Sequence, residues 1–196
     1  MKKQSRRRVA EEAALFMATG LDAEYLHAKE RAVMMLGISS SARMPSNRVI
    51  KEFIGLFTKA ELGEEEHTKR LREMREIAVE VMEAIQHFDP FLIGSTLSGK
   101  IRLTSDIDFH AYADHFEEIK DALEDWGFED VEEELVENIK GSFVHLKWLE
   151  RNYPVEITVY PWSSRDAVPY SSVTRKPMKR MDLPGVRELS GNCRKL

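Results

Sequence analysis

The apolar run Phe91-Leu92-Ile93 ends at Gly94-Ser95, and about ten residues later the chain reads Asp106-Ile107-Asp108-Phe109. A glycine lets backbone approach a ligand closely, and the pair offers amides and a hydroxyl to an anion. On a strand, alternate residues share a face, so Asp106 and Asp108 project together while Ile107 and Phe109 turn to the core. Two carboxylates on one face repel each other, and a divalent cation relieves that repulsion. Oxygen donors of this hardness suit Mg²⁺ or Mn²⁺.

A third carboxylate stands in Pro154-Val155-Glu156-Ile157-Thr158-Val159. Val155, Ile157 and Val159 form one apolar face, leaving Glu156 and Thr158 on the other. If this strand pairs beside the Asp106-Asp108 strand, three carboxylates meet over a space large enough for two ions. That layout suits an in-line phosphoryl displacement, in which one ion activates a hydroxyl and the other steadies a triphosphate and its leaving group.

The order hydrophobic-Gly-Ser, a dozen or so residues, then Asp-hydrophobic-Asp-hydrophobic resembles the signature of the DNA-polymerase-β-like nucleotidyltransferases. It is carried here by Ile93-Gly94-Ser95 and Ser105-Asp106-Ile107-Asp108-Phe109, and the resemblance spans approximately residues 88 to 162. It implies that Gly94 and Ser95 hold a nucleoside triphosphate, that Asp106 and Asp108 bind metal, and that Glu156 completes the ligand set. The implied reaction moves a nucleoside monophosphate from an NTP to a hydroxyl acceptor: a small molecule, a protein side chain or an RNA end. Many minimal members read Gly-Ser-x-Ala-Arg-Gly, whereas Ser98 stands here in the arginine's place. Lys100 and Arg102 are the expected replacements for its charge on the triphosphate. The missing arginine also leaves open a non-catalytic, nucleotide-binding or antitoxin-like member of the same fold.

The elements that must position these residues are legible in outline. Up to about His87 the pattern is helical. An amphipathic helix follows a basic start, and Gly20 and Asp22 read as its stop and the next cap. Tyr25 to Leu36 form a second helix ending at Gly37, with Ser39 to Ser41 as a loop. Pro45-Ser46-Asn47 opens a helix striped by Val49, Ile50, Phe53, Ile54 and Phe57, and Leu71, Met74, Ile77, Val81, Met82 and Ile85 stripe another over Glu64 to Phe88. Beyond Pro90 the texture changes to short apolar runs and turns. Strands are expected at Phe91–Ile93, Ile107–Tyr112, Phe128–Val136, Ser142–Leu149 and Val155–Tyr160, the last two joined at Arg151-Asn152. A helix over Asp114–Trp126, with Phe116, Ile119, Leu123 and Trp126 inward, stops at Gly127. The expected class is α+β, a mixed sheet with packed helices (89–196, including a basic C-terminal extension) behind an all-α region (1–88).

Alternation sets His110 on the face of Asp108, where it could line the cleft. His27, His67, His87 and His115 lack metal-ligand spacing and read as surface or packed residues. Trp126, Trp148 and Trp162 read as core or edge aromatics, with Trp162 able to stack on a base. The basic segment Ser171 to Arg180 is a candidate to fold over the nucleotide or grip an anionic acceptor, with a disordered basic tail as the other reading.

Composition narrows the partners. No apolar run in the 196 residues approaches the roughly 18 that span a bilayer, so no membrane partner is expected. The net charge of −5, from 29 basic and 34 acidic residues, disfavours a long nucleic acid, which would need the basic ends at Arg6-Arg7-Arg8 and at Arg175-Lys176 with Lys179-Arg180 to converge. The single Cys193 forms no internal disulfide, and with no signal-peptide core a reducing, cytoplasmic setting is expected. The N-terminal helices are expected to cover the acceptor cleft or to form a homo-oligomer interface.

Overall fold

The computed structural model describes residues 2–22, 24–38, 44–138, 141–170 and 176–192, so the expected Ser39–Ser41 loop, the start of the basic segment and Cys193 lie outside the described residues. The chain is α+β, with an N-terminal helical region and a five-stranded mixed sheet. It divides into two compact units, one comprising 1–68 with 100–104 and 171–176, the other 69–99, 105–170 and 177–196. The expected boundary near residue 88 marks the change from helix to sheet texture, while the units part earlier, after Thr68.

In the first unit, α1 (Lys2–Ala18) packs on α2 (Tyr25–Met35) and α3 (Asn47–Leu62). Alanines 10, 13 and 14 on α1 and 28 and 32 on α2 are wholly buried. Their small side chains let the backbones approach, and Ile50 and Ile54 of α3 fill the space at helical spacing. Gly20 ends α1 with φ +77°, as expected. Asp22, however, does not cap α2, whose first flanking residue is Glu24. The Asp22 carboxylate is taken instead by Arg31, at 2.7 and 3.3 Å.

In the second unit, α4 (Glu64–Ala84) contributes its residues from 69 onward and buries Met74, Ile77, Ala78, Val81 and Met82 completely. The strands β1 (Phe91–Leu92), β2 (Ile107–Tyr112), β3 (Glu132–Asn138), β4 (Gly141–Glu150) and β5 (Tyr153–Tyr160) lie in the order β1-β2-β5-β4-β3. Only the β2–β5 pair is parallel. A short helix, α5 (Gly94–Ser98), leads from β1 toward β2. Ile107, Phe109 and Ala111 of β2 and Val155, Ile157 and Val159 of β5 share one buried face, as the alternation requires. Met181 exchanges both backbone hydrogen bonds with Leu92, at 2.9 and 3.0 Å, so the chain ahead of α7 (Leu183–Asn192) lies along the outer side of β1.

Two expectations for this unit need correction. Residues Phe128 to Val131 are not strand, because Asp130 takes φ +55° and interrupts the extended backbone before β3. Trp126, expected inward on α6 (Phe116–Trp126), is 54% exposed. The chain reverses at Gly127, whose N–H donates to the carbonyls of Leu123 and Glu124, and Phe128 fills the inner place against Trp148, ring to ring at 5.6 Å.

The β4–β5 hairpin turns at Arg151 and Asn152, with φ of +50° and +67°. Both central residues are left-handed, the two-residue geometry that favours Asn-Gly. Asn152→Gly is expected to raise stability by about 0.5 kcal/mol, the relieved backbone strain outweighing the extra freedom of glycine in the unfolded chain. A higher urea midpoint with unchanged slope would show it.

Candidate active site

Each element around Asp108 is placed by backbone hydrogen bonds. Ile93 N–H donates to Asp108 O at 2.9 Å, which sets the end of β1 against β2. The Thr96 hydroxyl, fully buried on α5, donates to Asp106 O at 3.2 Å. The Gly94-Ser95 turn is thereby fixed to both aspartate positions. Gly94 has φ +73°, and a Cβ built there would fall 2.1 Å from Asp108 Oδ2. Only a residue without a side chain lets backbone lie this close to the carboxylate.

Parallel pairing then sets Asp108 directly opposite Glu156, with His110 opposite Thr158 and Tyr112 opposite Tyr160. Adjacent strands are roughly 4.8 Å apart, so Asp108 and Glu156 are immediate neighbours on one face. Asp106 stands one residue ahead of β2. All three carboxylates are half-buried. Among the described residues, however, no group of three or more His, Cys, Asp or Glu side chains converges as a metal centre requires. Glu156 is met instead by two residues of β4. Its Oε1 is 3.0 Å from His145 Nδ1 and its Oε2 is 3.4 Å from Lys147 Nζ. Lys147 also pairs with Glu134 of β3, and that hydrogen bond is the chief reason its ammonium is held above the ordinary lysine value, with Glu156 adding to it.

Neither His145 nor Lys147 was among the sequence candidates, although β4 places both in the row of Glu156 and Thr158, opposite β5. Lys100 and Arg102, the expected triphosphate contacts, belong to the helical unit. There Lys100 packs beside Gly55, and the charge of Arg102 acts on Tyr25. Ser98 is exposed at the end of α5, its hydroxyl turned back to Ser95 O at 3.3 Å.

His110 does share the face of Asp108, but it is only 3% exposed. Its ring meets Tyr160 edge to face at 4.9 Å, and Nδ1 has no hydrogen-bond partner. Burial, with the charges of Arg180 and His145, lowers its pKa to about 4. The sign of the effect on stability follows from this. A neutral buried histidine stabilises fully above the unfolded value near 6.5, and that contribution is lost as pH falls from 6.5 toward 4, where the loss amounts to roughly 3 kcal/mol. His110→Asn should flatten this part of the profile, measured as the difference in urea midpoints between the two proteins from pH 7 to pH 4.

Farther along the same face, Arg180 donates to Tyr112 Oη at 2.8 Å and lies over the Phe91 ring at 4.2 Å. Trp162 is 40% exposed, with the Arg165 guanidinium 5.1 Å from its ring centre. Trp148, by contrast, is core. A groove lined by α4 and α7 residues, including Glu80, Glu83 and Arg187, shares no lining residue with the carboxylate face. No helix among the described residues is long and apolar enough to cross a membrane.

Compared with known proteins, the chain matches no family, no curated protein and no solved structure.

Proposed function

We propose that this protein is a metal-dependent nucleotidyltransferase that moves a nucleoside monophosphate from an NTP to a hydroxyl acceptor. The observation that carries the proposal is the side-by-side register of Asp108 and Glu156 on parallel strands, with the Gly94 backbone against the Asp108 carboxylate. Neighbouring carboxylates on parallel strands beside a glycine turn give a hard-oxygen surface next to backbone able to approach a phosphate. Asp106 and Asp108 would hold a Mg²⁺ or Mn²⁺ ion, and Gly94 and Ser95 would take the triphosphate. The ion supplies Lewis-acid stabilisation of charge on the phosphate when bound. Glu156 faces the same space from the neighbouring strand, with His145 and Lys147 attached to it.

The acceptor is a small molecule, a protein hydroxyl or an RNA end. Incubation with each α-³²P-labelled NTP, Mg²⁺ and a cell extract should label one of these classes, separable by filtration, protease and ribonuclease treatment. Equal labelling by the Asp106→Asn, Asp108→Asn double variant would sink the proposal.

A non-catalytic nucleotide-binding or antitoxin-like role is favoured by one observation, that Ser98 stands in the place of an arginine. Calorimetric titration separates the two readings. NTP binding that strengthens with Mg²⁺ and is followed by label transfer belongs to the enzyme, whereas binding without transfer to any extract component belongs to the alternative.

A further inference from the structure

Glu156 is the carboxylate on which a two-ion site would depend, and both of its oxygens already have cationic or N–H partners from β4. Counting from the Arg151-Asn152 turn, hairpin register sets Lys147 opposite Glu156 and His145 opposite Thr158. Both β4 side chains therefore stand on the carboxylate face by construction, not by a chance rotamer. Lys147 is held from two sides, by Glu156 on β5 and by Glu134 on β3. His145 is about four-fifths buried and presents Nδ1 to Glu156 Oε1 at 3.0 Å, a hydrogen bond available to the neutral ring as well as the charged one.

Resting on the nucleotidyltransferase proposal, we infer that the site takes a single divalent cation, on Asp106 and Asp108, and that the Lys147 ammonium, fixed by Glu134 and Glu156, stands in for a second ion. The physical basis is charge. A second divalent ion on Glu156 would have to displace the ammonium from that carboxylate while the ammonium stays tethered nearby by Glu134, so it would meet positive charge at close range. The first ion is farther from the ammonium, because β5 stands between β2, which carries Asp108, and β4, which carries Lys147. Glu156 is then a positioning residue for Lys147 and His145, and Lys147 supplies positive charge on the face where the phosphate would sit. The lost arginine at Ser98 is consistent with a cation being furnished from elsewhere.

The test is Mn²⁺ binding to the full chain after chelator treatment, counted by electron paramagnetic resonance of free Mn²⁺ at constant pH, with circular dichroism as the folding control. Wild type should bind one Mn²⁺ per chain. Glu156→Gln, similar in shape, should still bind one, with affinity changed by less than about threefold, while Asp108→Asn should weaken it by more than about tenfold. Lys147→Met should admit a second ion. Two ions on the wild type, loss of Mn²⁺ in Glu156→Gln matching that in Asp108→Asn, or one ion only on Lys147→Met would overturn the inference and leave the nucleotidyltransferase proposal standing. No Mn²⁺ on the wild type would overturn the metal site itself, and this inference with it.

Discussion

The Asp106→Asn, Asp108→Asn double variant should lose label transfer by at least about 1000-fold, equivalent to roughly 4 kcal/mol of transition-state stabilisation. Asparagine keeps the size and most of the hydrogen-bonding capacity of aspartate but removes the charge that holds a hard cation. The fold should survive, because Asp106 and Asp108 are half-buried and the contacts that fix their backbone, Thr96 to Asp106 O and Ile93 to Asp108 O, do not involve the carboxylates. Near-isosteric replacement at half-buried positions should leave the urea midpoint close to that of the wild type. Activity down with stability level is the signature of a functional site. Activity and stability falling together would instead mean that the carboxylates hold the fold, and the catalytic assignment would be lost.

Gly94→Ala is expected to have the next largest effect, a loss of at least about 100-fold in transfer with a destabilisation of about 2 to 4 kcal/mol. Two separate causes add here. The left-handed backbone at φ +73° disfavours any side chain, and the new methyl would lie 2.1 Å from Asp108 Oδ2, 3.1 Å from its Cγ and 3.3 Å from its Cβ. The carboxylate can swing aside, but the Cβ of Asp108 is fixed to β2, so the β1–β2 pairing must also give. Gly127→Ala is the control, since Gly127 has φ +106° and nothing within 4 Å of a built Cβ. It should show backbone strain alone, with a lower melting temperature and unchanged transfer. If the two variants lose transfer to the same degree, the close approach at Gly94 has no part in the activity.

Much of this fold was legible because its elements obey simple periods. The α4 stripe, the alternation along β2 and β5, and the stops at Gly20 and Gly127 all follow from burying apolar side chains at helical or strand spacing. The tight turn at Arg151-Asn152 was legible too. What could not be read were choices between local partners. Asp22 has the chemistry of a helix cap, yet Arg31 of α2 takes it. Trp126 has the right helical phase for the core, yet Phe128 displaces it once the chain reverses.

The site divides along the same line. Gly94, Ser95, Asp106 and Asp108 form a local pattern, and the Asp108–Glu156 pairing needed only one assumption about adjacent strands. His145 and Lys147 were within reach of the sequence as well. A two-residue turn fixes hairpin register, and counting outward from it sets Lys147 beside Glu156. The consequence for the charge of Glu156 follows only when that register is worked through, because a lone lysine on an exposed strand otherwise reads as a solvated surface residue.

The two ends of the sheet bear on how the molecule behaves in a crowded solution. An uncovered strand edge is a template for pairing with another chain. Here β1 is two residues long and its outer side is occupied by Met181, while the outermost strand at the opposite end, β3, carries exposed Glu132, Glu133 and Glu134 in succession. One edge is thus sealed by the protein's own chain, and the other is lined with charged side chains, Glu133 and Glu134 in ion pairs with Lys120 and Lys147. Removal of the segment that contains Met181 would reopen the first edge beside the Gly94 turn, so the final stretch of chain protects the sheet from self-association as well as completing it.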